Sequence, residues 1–257
     1  MIPEIQDLLT RLKSKTPVFS ESLNLVHATI LGKRMVFCST KRRDMIQRAH
    51  RQGSFYEQEE LTQLQKIMPE NGIFVDIGAN VGNHSLFFAK YCGAKKVYPF
   101  EPNPPAFNTL IQNVLVNQLE DTIDLRFIGV GVSDANGGGF AMEERRSNLG
   151  AAKMLEGQGD LAVYRGDELL ADIQPDFVKI DVEGMEIKVL SGLSGVLNRC
   201  KPMIFIEVDE ENETAFADWV AQNDYAIAYS FRRYEVNKNY LITPSEDVAR
   251  VKESIED

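Results

Sequence analysis

The sequence predicts an α/β fold: a mostly parallel, doubly wound sheet with an antiparallel closing strand, preceded by a small N-terminal helix/hairpin extension. Three observations carry this expectation. Beyond residue 72, short apolar runs alternate with amphipathic helical stretches, the rhythm of βαβ crossovers whose parallel strands need helices on both faces. The first run, Ile73–Ile77, ends in a glycine loop, Gly78-Ala79-Asn80-Val81-Gly82, that opens a helix. Near residue 230 two extended stretches follow one another with no helix between them, as an antiparallel pair does. At 257 residues the chain holds one large domain with an appendage, divided here as 1–70 for the extension and 71–257 for the α/β domain.

Taken in order, Ile5, Leu8, Leu9 and Leu12 stand at helical spacing in a helix over 2–13. A hairpin follows, 23–31 against 34–38, with Gly32-Lys33 at a turn where a glycine-first type II′ geometry fits. A polar stretch leads to a helix over 57–67, stopped by Pro69-Glu70-Asn71-Gly72. After the strand Ile73–Ile77 come a helix over 85–91 and a second strand over 96–100. The clearest helix spans 104–116, with Phe107, Leu110, Ile111, Val114 and Leu115 on one face. Asn103 is placed to cap it, and Pro104 suits its first turn. A third strand is expected over 123–132, a fourth over 176–182, a helix over 185–198, a fifth strand over 201–208 and a helix over 213–223. Strands over 225–231 and 234–243 close the sheet. Trp219, with Phe216 and Val220 at helical spacing, reads as core, and 244–257 as a short solvated helix or frayed end. The segment 135–175 breaks the rhythm and reads as a functional loop or small hairpin; its Arg145, Arg146 and Asn148 could bond sugar hydroxyls or an anionic acceptor.

Acidic residues outnumber basic ones 38 to 28, a net charge of −10, which argues against a nucleic-acid binder because phosphate contacts need a basic face. The one basic cluster, Lys41, Arg42, Arg43, Arg48 and Arg51, reads as solvated surface. No apolar run approaches the roughly 18–20 residues that span a bilayer, and residues 1–15 carry no secretory h-region. The expectation is a cytoplasmic protein without stable membrane insertion. Cys38, Cys92 and Cys200 are far apart and form no CxxC pair, so they read as buried thiols. No His/Asp/Glu spacing marks a metal site and none is expected, although Asp181 with a distant carboxylate could hold one divalent ion. His27 and His50 read as structural or solvated.

The chemistry concentrates where strands end. Asp76 leads into the glycine loop, whose spacing is G-x-N-x-G and not the G-x-G-x-x-G of dinucleotide enzymes. Free N–H groups at the helix that follows favour an anionic group. The second strand ends in Phe100-Glu101-Pro102-Asn103-Pro104, and Glu101, 19 residues after Gly82, is placed to accept hydrogen bonds from a ribose diol. Together DIGANVG, FEPNP, GVSD and DFVKIDVEGMEIKVLSG resemble the FkbM family of S-adenosylmethionine-dependent methyltransferases over roughly residues 55–210, with Phe55-Tyr56-Glu57 similar to the family's lead-in.

That resemblance implies a Rossmann-like class I methyltransferase fold and S-adenosylmethionine as cofactor. It implies that Asp76, Gly78, Ala79, Asn80 and Gly82 hold the methionine part, that Glu101 holds the ribose hydroxyls with Pro102 and Asn103 beside the adenosine, and that Ser133 and Asp134 flank the adenine. Asp181 would face the methionine amino group or the acceptor. A hydroxyl acceptor needs a base. Asp181 is the first candidate, Glu183 and Glu207 follow, and His84 is a further one. Each has a plainer reading: cofactor contact for Asp181, a helix cap for Glu183, a buried pairing for Glu207, a helix start for His84. The expected activity is O-methylation of a hydroxyl on a sugar, glycan or related small metabolite. An N- or protein methyltransferase, an NAD-dependent oxidoreductase and a non-catalytic cofactor-binding module stay open as alternatives.

Overall fold

The structure, a computed structural model, describes residues 24–142, 159–231 and 237–256, with a few positions in 6–14 and 154–157 besides. The apolar stripe Ile5, Leu8, Leu9 and Leu12 and the polar trio Arg145, Arg146 and Asn148 lie outside the described residues. Strand β1 (Asn24–Ile30) pairs antiparallel with β2 (Lys33–Ser39). The turn between them is Leu31-Gly32, one residue earlier than expected, and both residues have positive φ, 46° and 75°. That is the type I′ pattern, not II′; its twist matches the flanking strands, and Gly32 takes up the left-handed conformation at no steric cost.

The outer edge of β2 is not left open. Helix α1 (Met45–Arg51) and helix α2 (Gln58–Ile67) follow the hairpin. The charged sequence of α1 hides it from periodicity; Asp44 caps it by accepting the Gln47 N–H. Within the basic cluster Arg51 is built in, donating to Ser39 Oγ and to the carbonyls of Lys41 and Arg42, so only the rest of that cluster is solvated.

The main sheet has six strands in the order β11-β12-β10-β9-β3-β4. These are β3 (Ile73–Ile77), β4 (Lys96–Phe100), β9 (Phe177–Ile180), β10 (Met203–Asp209), β11 (Tyr225–Phe231) and β12 (Asn237–Pro244). The four from β10 to β4 run parallel, and β12 is antiparallel to both its neighbours. Alternation along the strands splits the core in two. Phe74, Val97, Phe177, Phe205 and Leu241 face one side, with α2, α3 (Asn83–Tyr91) and α4 (Pro104–Val116); Val75, Phe100, Val178, Ile204 and Ile242 face the other. The first cluster also takes in Ile30, Met35 and Phe37 from the hairpin. Asn113 and Asn117 on α4 bond the free edge of β2: Asn117 takes and gives hydrogen bonds with Val36, and Asn113 accepts the Cys38 N–H while donating to the Val81 carbonyl.

Several expectations need correction. The third strand is broken: Ile123 makes a single parallel bridge to Val97 of β4 and Ile128 one to Glu101 just beyond it, a 3-10 turn capped by Asp124 lies between them, and β5 (Gly131–Ser133) pairs instead with β8 (Leu161–Arg165) in a separate four-stranded sheet. Within the insertion the structure describes β6 (Gly137–Met142), β7 (Met154–Leu155), β8 and α5 (Gly166–Leu169). The helix over 185–198 is two, α6 (Glu186–Gly192) and α7 (Ser194–Cys200). Gly192 is pressed onto β5, where a Cβ would lie 1.9 Å from the Ser133 carbonyl oxygen, and Asp167 accepts the Gly195 and Val196 N–H groups that the break exposes. After α8 (Glu213–Gln222) and the closing strands, α9 (Val248–Glu256) is docked and not solvated. Its Val251 and Ile255 are buried in the first cluster, and Lys66 of α2 donates to the Ile255 carbonyl. Asn103 stands at the N-cap of α4 but its side chain caps nothing. Pro104 and Pro105 offer no N–H, and the Ala106 N–H is met by the Asn103 carbonyl, so no donor is left for it. Among the described residues no helix is long and apolar enough to cross a membrane.

Candidate active site

The chain leaves β3 toward β4 on one side and β9 toward β10 on the other. That is a topological switch point, where open α/β sheets bind ligands beyond the strands' carboxyl ends. A cleft open to solvent lies there. Gly78, Asn80, Glu101, Asp181 and Glu183 supply its polar lining; Phe100, Pro102, Val130, Val132, Met142 and Met185 supply apolar walls.

The glycine loop is shaped by close approach. Gly78 has φ 81°, and a Cβ on it would sit 1.8 Å from the Asp181 carbonyl oxygen. Asn80 is left-handed at φ 52°, with its own Oδ1 accepting the Val81 N–H. Its N–H donates to Glu101 Oε2 at 2.7 Å, and the Asn103 N–H donates to Oε1 at 2.8 Å. Glu101 is 6% exposed. Burial pushes its carboxyl up to about 7, against the pull of those two N–H groups and of Lys179, with Asp181 adding to the rise. Each oxygen keeps a lone pair for a ligand.

Asp76 and Gly82 lie behind the lining. Asp76 is fully buried, accepts from Ser85 Oγ at 2.6 Å and pairs with Lys179. Gly82, at φ 89°, caps α3 and packs on Leu110, and Ala79 is buried in the first core cluster. Ser133 and Asp134 bond one another at the end of β5; Val130–Val132 make the wall beside them. Glu183 is left-handed at φ 51°, and the N-cap residue of the helix that follows is Met185. The turn is held instead by buried Glu186, which accepts the Gly184 N–H and an Asn212 amide hydrogen.

The three proposed carboxylates do converge. Asp181, Glu183 and Glu207 each bring an oxygen within 4.8 Å of the others, close enough to ligate one divalent cation. Burial, then the charges of Asp181, Glu57 and Glu183, push the Glu207 carboxyl up to about 9, with Lys179 opposing; Asn237 donates to its Oε1. The native state thus favours protonated Glu207. Its contribution to stability is complete below the ordinary value of 4.5 and fades as pH rises toward 9. Glu207→Gln is therefore expected to melt near the wild type at pH 5 and higher by about 3 °C or more at pH 8.5. Thermal unfolding at the two pH values checks this, and an equal offset at both defeats it.

His84 is buried with Nε2 unpartnered. Burial and Lys179 push its ring down to about 3 against the pull of Asp181, so it is neutral. His50 is buried too, stacked on Phe37 and bonded to Asn83, whose amide in turn holds both backbone groups of Tyr56. Lys179 and Glu57 stand in motifs quoted above, but the sequence gives neither a role. A lysine inside VKI, a strand buried on both faces, was the available signal, since such a charge must find partners.

Comparison with known proteins agrees with this geometry. Residues 76–233 match the family described as the methyltransferase FkbM domain. A hexuronic acid methyltransferase, AglP, from Haloferax volcanii is 32% identical over 147 residues, covering 55% of this chain and 58% of that protein. The methyltransferase sdnD of Sordaria araneosa is 24% identical over 165 residues, 49% of this chain and 62% of its own. The chain thus spans less than two thirds of either relative. The crystal structure of a methyltransferase FkbM from Methylobacillus flagellatus KT superposes with a TM-score of 0.50 at 18% identity, over 72% of this chain and 46% of that one.

Proposed function

This chain belongs to the FkbM methyltransferase family, and from that premise we propose that it transfers a methyl group from S-adenosylmethionine to a hydroxyl of a sugar, glycan or related small metabolite. The observation that carries the reading is the cleft at the switch point, with the Gly78 loop and Glu101 on one side and Asp181 on the other. Its residues fit the cofactor. Glu101 retains lone pairs for a ribose diol, Phe100, Val130 and Val132 suit an adenine, and the carboxylates of Asp181 and Glu183 suit a sulfonium and an ammonium. Gly78, Asn80, Pro102 and Asn103 complete the set that would hold it. A sugar acceptor is supported by the hexuronic acid methyltransferase relative, and the net charge of −10 supports a small acceptor over a nucleic acid.

Bound there, the cofactor supplies an electrophilic methyl; the protein's part is orientation, exclusion of water and a proton acceptor. Asp181 fills the last role. Lys179 holds its Oδ2 at 3.3 Å, leaving Oδ1 to take the proton of the acceptor hydroxyl. The acidic rim favours a neutral hydroxyl over a carboxylate as acceptor. The test is transfer of labelled methyl from S-adenosylmethionine into sugar nucleotides, free glycans and cell-envelope extracts. Label in a base-stable ether is expected, with Asp181→Asn losing transfer more than cofactor binding. No cofactor binding in calorimetry overturns the proposal, and base-labile label moves the acceptor from hydroxyl to carboxyl.

A further inference from the structure

Building on that reading, we propose that Lys179 is a positioning residue that ties the cofactor loop to the proton acceptor. Lys179 sits in β9 at the middle of the sheet and is 4% exposed. Its Nζ donates one hydrogen bond and forms two ion pairs, and the three partners belong to different parts of the site. The Gly78 carbonyl, at 2.7 Å, is the first turn of the loop. Asp181 Oδ2, at 3.3 Å, is at the cleft. Asp76 Oδ1, at 3.4 Å, is the buried anchor beneath. Strand register sets Asp76 beside Lys179, so the anchor is fixed by the sheet itself.

Charge neutralisation of Asp76 alone would not need the other two contacts. They place one rigid cation between the loop that would carry the methyl donor and the carboxylate that would receive the proton. The backbone reinforces the link, since Gly78 and Asp181 are in direct contact and the Asp181 N–H donates to the Ile77 carbonyl. Without the ammonium, the loop carbonyl and the Asp181 carboxylate lose their common reference, and a displacement of about 1 Å between reacting groups can cost about 100-fold in rate.

Removing Lys179 alone strands the Asp76 charge in the core, so the test uses Asp76→Asn as the reference chain. Three full-length proteins are compared: Asp76→Asn, Asp76→Asn with Lys179→Met, and Asp76→Asn with Lys179→Arg. Calorimetry with S-adenosylmethionine, labelled transfer into the envelope extract at saturating cofactor, and hydrogen exchange of residues 78–82 are measured on each. With Lys179→Met, transfer is expected to fall by about 100-fold, the cofactor Kd to rise about 10-fold, and exchange to accelerate in 78–82 but not in β10. Lys179→Arg, which keeps a cation, is expected to recover about 10-fold of the transfer rate. Equal transfer by the Met chain and the reference, or an Arg chain no better than Met, overturns the positioning role alone. A wild type that neither binds cofactor nor transfers label overturns this role and the proposed function together.

Discussion

Glu101→Ala is expected to weaken S-adenosylmethionine binding by about 100-fold or more. Two hydrogen bonds from a ribose diol to a charged acceptor contribute about 1.5–3 kcal/mol each, and the alanine forfeits both. The variant should also cease to distinguish the cofactor from an analogue lacking the ribose hydroxyls. Calorimetry with the pair decides it: unchanged affinity, or discrimination that survives the substitution, removes Glu101 from the ribose. The structure adds a second cost. Glu101 also accepts the Asn80 and Asn103 N–H groups, so alanine leaves two buried donors unmet. At about 1–3 kcal/mol each, the chain should unfold at distinctly lower urea while still folding.

Among the described glycines, Gly78→Ala should be the most damaging added methyl. The residue is left-handed, which strains any L side chain. Its Cβ would fall 1.8 Å from a backbone oxygen that cannot swing away like a side chain. Relief requires β3 and β9 to part at their carboxyl ends, where the Asp181 N–H to Ile77 bond and the Lys179 ammonium hold them. A loss of about 3 kcal/mol or more is expected. Gly93→Ala is the control: it is also left-handed, at φ 67°, but nothing lies within 4 Å of its Cβ, so about 1 kcal/mol is expected. Urea denaturation of the two variants should differ severalfold in ΔΔG; similar values would mean the close approach is not rigid.

Much of this was legible because it is local. Ile73–Ile77, Lys96–Phe100 and Pro104–Val116 fall where apolar period and proline placed them. Asp181, Glu183 and Glu101 sit at or beyond strand ends, which topology gathers into one cleft, and Glu207 lies beside the first two. What escaped depends on contacts between distant residues. The break at Gly192 comes from Ser133, and the capping of the next helix from Asp167. The broken third strand reflects a side-chain cap that competes with the ladder. Asp76 reads as a ligand contact in a motif, yet register hands it to Lys179. No pattern in the sequence announces such pairings.

The docking of α9 on α2 has a consequence for how the polypeptide is made. Lys66 and Ile255, bonded to one another, are 189 positions apart, and Ile67 and Ile255 share one apolar cluster. During translation the earlier half must therefore wait, with part of that cluster uncovered, until residues 248–256 emerge. Such late closure slows the search for the native state and lengthens the interval in which a chaperone can engage the nascent protein.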